Sequence, residues 1–200
     1  MEQTITKEEI EKLVNMKGEI RGMALRNDFD YILKKFGKEK IEEIEKKMEE
    51  FGYPIRYREI KALNFYPIGI DNLLLTCLER FLGFKDKDFF EMGEFHTKSS
   101  LLTRLFMRYF GSIKGIVNGA AKMWRRYFSI GDIKVIEYNE KDKYAVLRLE
   151  NFLNLPMQCH SLRGSFVGLL KIVTKGEVVC KETKCIHKGD KYHEFVLRWK

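Results

Sequence analysis

The apolar pattern of the chain changes period once, near Gly131, and that change limits the folds open to it. Upstream, apolar residues recur at three- and four-residue spacing, as one face of a helix requires; downstream they alternate, as in strands with one face in a core. Ile133 to Tyr138, a polar turn at Asn139-Glu140-Lys141-Asp142, and Tyr144 to Leu149 read as a β-hairpin. Pro156 to about Val173 returns to helical spacing, with Cys159, Leu162, Phe166, Leu169, Leu170 and Val173 inward and a close-approach notch at Gly164 and Gly168. Two further β-rich runs, about 176–186 and 191–199, are joined across His187-Lys188-Gly189-Asp190. The expected class is α+β: a helical N-terminal half packed on a four-stranded antiparallel sheet, with the C-terminal half built ββαββ. We read residues 1–200 as a single domain, helical over 1–130 and ββαββ over 131–200.

The helical half is punctuated by caps and glycines. Thr6-Lys7-Glu8-Glu9 is a capping box ahead of Ile10, Leu13 and Val14. A second helix with an irregular entry runs from about Ile20 to Phe36, and Ile41, Ile44, Met48 and Phe51 form a narrow stripe on a charged third helix. Pro54 and Pro67 bracket a connecting stretch, and Ile70 to Leu82 reads as a buried helix. Phe89 to Phe95 is a short aromatic segment, followed by a helix carrying Leu101 to Tyr109 and then by Gly111, Gly115 and Gly119 on one helical face. Glycines so spaced let a second backbone approach closely.

Composition narrows the function classes. At 200 residues and 44% hydrophobic, the chain can bury one substantial core. No apolar run is long enough to span a bilayer, and Met1-Glu2-Gln3-Thr4 lacks the basic and apolar regions of a signal peptide, so a cytoplasmic location is expected. Four cysteines are too few for a disulfide scaffold, which leaves thiol or metal roles. One third of the residues are charged and glutamine occurs only at 3 and 158, a balance that fits a thermophilic source. The net charge of +8 is spread along helical faces; even the group Arg104, Arg108, Lys114, Lys122, Arg125 and Arg126 reads as a solvated face, and nucleic acid is not the expected partner.

The residues that carry chemistry are Cys159, Glu182, Cys185 and His193, spaced C-x22-E-x2-C-x7-H. Zinc is held by four such nitrogen, sulfur and oxygen donors, and a site filled by four protein ligands is closed to substrate. Pro156 suits a first helical turn, which places Cys159 at the positive end of the helix dipole, where a thiolate is favoured. Strand residues three apart face opposite ways, so Glu182 and Cys185 can share an ion only if the strand bulges or is already turning. On spacing alone two readings stand open: a metal clasp, or two buried cysteines beside a surface glutamate and a surface histidine. Cys180, on the same strand face as Glu182, is a core thiol that could also substitute as a ligand.

The segments Cys159-His160-Ser161-Leu162-Arg163-Gly164-Ser165-Phe166-Val167-Gly168-Leu169-Leu170, Glu182-Thr183-Lys184-Cys185 and Lys188-Gly189-Asp190-Lys191-Tyr192-His193-Glu194-Phe195 resemble the 4-vinyl reductase domain family, over roughly residues 100–200. That family carries a cysteine opening the helix, E-x-x-C, and G-[DE]-x-x-C-x-F. The resemblance implies structural zinc on Cys159, Glu182, Cys185 and His193, with histidine standing where the family has its last cysteine. Histidine is an equally good zinc ligand but makes affinity more sensitive to acid. Members are related in fold to heme nitric-oxide-binding domains and to transport-particle subunits of Golgi tethering complexes, so the resemblance further implies a sensor or carrier of a small hydrophobic or aromatic molecule, as a homodimer.

No catalytic set is legible: the chain has no phosphate-binding glycine loop, nucleophile elbow or H-E-x-x-H, and the heme-domain signature Y-x-S-x-R is absent. An enzyme therefore has little support, a reductase-associated role being the one alternative the resemblance offers. A scaffold with a filled interior is the other. Aromatic residues concentrate between 89 and 128, and pockets for small ligands are lined in this way. His96, Tyr109, Trp124 and Tyr127 have polar tips suited to orienting a guest, although for any one of them a place in an aromatic-rich core is the simpler reading.

Overall fold

A computed structural model describes residues 4–99, 112–153, 155–174 and 176–200. The predicted helix over Leu101 to Tyr109, together with Gly111, lies outside them. The chain divides into two compact units, residues 1–88 with 127–129, and residues 89–126 with 130–200.

The first unit is mainly helical. Thr6 caps α1 (Lys7–Val14), its hydroxyl accepting from the Glu9 backbone N–H at 3.2 Å. α2 (Gly22–Phe36) begins at a glycine because a Cβ there would run into the Lys61 carbonyl. α3 (Lys38–Glu50) buries only the stripe Ile41, Ile44 and Met48, as its spacing predicts. α4 runs Ile68–Phe81 and buries every side chain from Leu73 to Leu78. One element was not anticipated: β1 (Glu19–Arg21) pairs antiparallel with β2 (Phe65–Pro67), where the pattern suggested an irregular helix entry and a connecting stretch. Three residues per strand are too few to display an alternating period.

The second unit carries the sheet. α5 (Asp86–Ser99) turns the short aromatic segment into a full helix, and α6 spans Ile113–Tyr127. β3 (Asp132–Asn139) and β4 (Tyr144–Glu150) form the first hairpin. After α7 (Pro156–Lys171), β5 (Val178–Lys184) and β6 (His193–Trp199) form the second. The antiparallel order is β3-β4-β6-β5, so the last strand lies inside the sheet between β4 and β5. The class is α+β with a four-stranded antiparallel sheet, as the patterning predicts. The inward residues Ala145, Leu147 and Leu149 of β4 and Phe195 and Leu197 of β6 are all buried, each large side chain contributing about 1.5–3 kcal/mol.

α7 is buried on more than one face because it has a neighbour on either side. Phe166 meets Phe195 of the sheet edge-on, ring centroids 5.1 Å apart. On the other side α5 comes so close that a methyl group on Gly164 would overlap the Phe90 carbonyl, one on Gly168 the Thr97 hydroxyl, and one on Gly93 the Ser161 carbonyl. The predicted notch is thus real and reciprocal, with a glycine on α5 as well. Ser165 adds a hydrogen bond to the Gly93 carbonyl at 3.1 Å, and Glu94 reaches Lys171 at 2.9 Å. This layering of sheet, α7 and α5 fixes where the start of α7 meets β5 and β6.

Candidate metal centre

Cys159 is the fourth residue of α7. Pro156 opens the helix, and the buried Gln158 side chain folds back to accept from the Leu155 backbone N–H at 2.9 Å, so the turn that presents Cys159 is capped from within. Glu182 lies near the end of β5, and His193 is the first residue of β6.

The required bulge is present. Glu182 pairs with Phe195, yet Lys184 pairs with the next residue, Glu194, which leaves Thr183 as the extra residue. The slip reverses the facing of the residues beyond Thr183, so Glu182 and Cys185 both turn toward α7. Cys185 then enters a single 3-10 turn, Ile186–Lys188, closed by Gly189 at φ 93°. Asp190 holds that turn to Cys185: its carboxylate accepts from the Cys185 N–H at 2.8 Å, and its own N–H donates to the Cys185 carbonyl at 3.2 Å.

The four donor atoms lie within 4.8 Å of one another. The sulfurs of Cys159 and Cys185 are 3.9 Å apart, Cys159 Sγ is 3.7 Å from His193 Nδ1, and His193 Nδ1 is 3.0 Å from a Glu182 carboxylate oxygen. Around a tetrahedral zinc these edges would be about 3.8, about 3.6 and about 3.4 Å. The donors thus stand close to the geometry the ion would impose, and the group can hold a metal ion. Cys159, Cys185 and His193 are buried and Glu182 partly so. The glutamate and histidine are not surface residues, as the alternative reading required.

Electrostatics follow the packing. Burial would raise the Glu182 carboxyl, but hydrogen bonding and charge from His193, with hydrogen bonds from Cys185 and Cys159, more than offset it and hold it below its ordinary value. Burial raises the Cys185 thiol, opposed by a hydrogen bond from the His187 backbone N–H. Cys180 stands outside the group; burial pushes its thiol up to about 12, as expected of a core cysteine. Asp190 and His187, which the sequence places in the connection between the two β-rich runs, also stand beside this group; Gly189-Asp190 close to Cys185 was the available signal.

The four residues proposed to line a ligand pocket are placed less tellingly. Trp124 is buried, its indole N–H donates to the Ile130 carbonyl at 2.8 Å, and its ring packs edge-on to Phe152 with centroids 5.0 Å apart. Its polar tip is engaged locally. His96 is half-buried on α5, Tyr127 is half-buried at the end of α6, and Tyr109 lies outside the described residues.

No family model matches the chain. No curated protein matches it either. Among solved structures it is similar to an H-NOX protein from S. oneidensis in the Fe(II)NO state, at 12% identity and TM-score 0.70, over 90% of this chain and 99% of that one. An Fe(II) unliganded H-NOX mutant from K. algicida gives 13% identity and TM-score 0.65, over 90% and 97%. A trafficking protein particle complex subunit 3 from Naegleria fowleri, covalently bound to palmitic acid, gives 16% identity and TM-score 0.45, over 65% and 90%. The chain has an H-NOX-like fold. Two segments keep two of the three residues of Y-x-S-x-R: Tyr127-Phe128-Ser129-Ile130-Gly131 has a glycine at φ 81° in place of the arginine, and Tyr144-Ala145-Val146-Leu147-Arg148 has a valine in place of the serine. A Cβ at Gly131 would lie 2.9 Å from the Phe152 ring and 3.1 Å from Trp124 Nε1, so an arginine does not fit at that position.

Proposed function

We propose that this protein is a small-molecule-binding sensory module of the 4-vinyl reductase type whose C-terminal half is stabilised by structural zinc on Cys159, Glu182, Cys185 and His193. The observation that carries this reading is the convergence of the four donors within 4.8 Å, across a helix start and a bulged hairpin. Two thiolates, an imidazole and a carboxylate suit zinc, which would supply a closed, redox-inert cross-link. The chain's own residues do the rest: the first turn of α7 presents Cys159, the bulge turns Glu182 inward, and Asp190 fixes the Cys185 turn. Pinning α7 in this way would hold one wall of a cavity for an apolar or aromatic guest, with His96 of α5 as a polar group near it. The H-NOX-like fold supports a ligand-binding sensor, since those neighbours are described with NO and CO ligation. We further propose that the module works as a homodimer in the cytoplasm and that its source is thermophilic; no described helix is long and apolar enough to cross a membrane.

A second reading has one observation in its favour. Trp124 spends its N–H on Ile130 and packs its ring on Phe152, as in a filled interior, which suits a scaffold. Elemental analysis with native mass spectrometry of gently purified full-length protein separates the two. One zinc per chain and a retained small apolar mass are expected; a zinc-bound chain carrying no such mass would favour the scaffold, and a metal-free chain would remove the zinc.

A further inference from the structure

His193 has two ring nitrogens with different tasks. Nδ1 faces the centre, 3.0 Å from Glu182 and 3.7 Å from Cys159. When Nδ1 gives its lone pair to a metal, the proton of the neutral ring must sit on Nε2. His193 is fully buried, and its Nε2 has no hydrogen-bond partner among the described residues. Metal-ligating histidines almost always donate that second N–H to an acceptor, which fixes tautomer and ring orientation. One ring neighbour of His193 is Phe195, stacked at 6.2 Å, which offers no acceptor of the usual kind. Another is His187, its ring centroid 5.9 Å away and tilted by 54°. At that separation two imidazoles are slightly too far apart for a direct hydrogen bond and suitably spaced for one water between their nitrogens. His187 is exposed, so water reaches it. Its backbone N–H is bonded to Cys185, which keeps the residue at the site whatever its side chain.

We propose that His187 is a positioning residue of the metal centre, its imidazole accepting the buried Nε2–H of His193 through one bridging water and so holding Nδ1 toward the other three donors. This rests on the zinc reading. It adds a fifth residue that touches no metal but sets how tightly the ion is kept.

The test uses the full chain with Zn²⁺ as the probe, in wild type, His187→Phe and His187→Gln. The phenylalanine keeps a ring and removes the acceptor; the glutamine restores an acceptor on a flexible side chain. His187→Phe is expected to bind zinc about 10- to 100-fold more weakly in chelator competition. His187→Gln is expected to stay close to wild type. In ¹⁵N-edited spectra of the zinc form, the His193 Nε2–H signal should be protected in wild type and exchange-broadened in His187→Phe. The melting temperature of the zinc-free chain should not change, which separates positioning from a packing role. Equal zinc affinity and an unshifted Nε2–H in His187→Phe would overturn the proposal. Failure of the wild type itself to hold zinc would overturn the zinc reading as well, a result visible before any variant is made.

Discussion

The sulfurs of Cys159 and Cys185 lie 3.9 Å apart although the residues are 26 positions apart in the chain, one on the first turn of α7 and the other just past β5. Two thiols brought that close, next to a buried imidazole and a carboxylate, are repulsive once ionised unless a cation stands between them. On the zinc reading, Cys159→Ser and Cys185→Ser are each expected to bind zinc far more weakly than wild type. Chelation of the wild type should lower its melting temperature, since a ligand at 100 times its Kd adds about 2.7 kcal/mol to stability. Calorimetry with and without chelator measures this.

Asp190 is held to Cys185 by two hydrogen bonds, at 2.8 and 3.2 Å. Removing its carboxylate leaves the Cys185 N–H without that acceptor, at a cost of about 1 kcal/mol. Asp190→Ala should fold and retain α7 and the sheet; on the zinc reading, its zinc-loaded form should release the ion to a competing chelator faster than wild type, as stopped-flow release with a zinc-sensitive dye would show.

Gly164 admits no side chain, because its Cβ would overlap the Phe90 carbonyl of α5. Backbone cannot step aside as a side chain can, so Gly164→Ala should cost about 3 kcal/mol or more. Gly37, at φ 85° and ψ 179° with open space around it, makes the contrast: alanine there meets only the backbone strain of a region nearly reserved for glycine, about 1–3 kcal/mol. Urea unfolding of the two variants should rank them in that order.

Glu94 links α5 to α7 through Lys171 at 2.9 Å and pairs with Lys98 at 2.8 Å. Burial would raise its carboxyl, but those two lysines together hold it below its ordinary value. A depressed carboxyl contributes stability above its unfolded value, near pH 4.5, and loses it as pH falls through the folded value. Wild type should therefore lose stability below about pH 4.5 more steeply than Glu94→Gln, as urea midpoints from pH 6 to pH 3 would show.

Much of the second unit was legible because its signals are local. Alternation marks β3, β4 and β6, the polar turn at 139–142 separates the first two, and Pro156 sets the start of α7. The glycine notch could be read from Gly164 and Gly168, but not its partner Gly93, since nothing along the chain says which helix will lie against α7. The β1–β2 pair was missed because two three-residue strands far apart in the chain, with Arg21 opposite Phe65 at one end, carry no period. The four candidate donors were singled out by residue type and spacing, which left two readings open until the resemblance to the 4-vinyl reductase domain family favoured a metal. Their second layer was not, because Asp190 and His187 take their meaning from where a bulge and a 3-10 turn leave them. The aromatic residues proposed for a pocket show the opposite limit: composition could gather Trp124 with its neighbours, but only packing reveals that its N–H is already bonded to Ile130.

The spare residue at Thr183 has a consequence for anyone who edits this chain. Regularising the ladder with Thr183 kept, so that it pairs with Glu194, would swing Cys185 to the opposite side from Glu182, whereas deleting Thr183 would leave the two residues two apart on one face of an uninterrupted β5. A sturdier sheet and an intact clasp are therefore compatible only if the strand is shortened by that residue, and competing goals if the residue is kept and forced into the ladder.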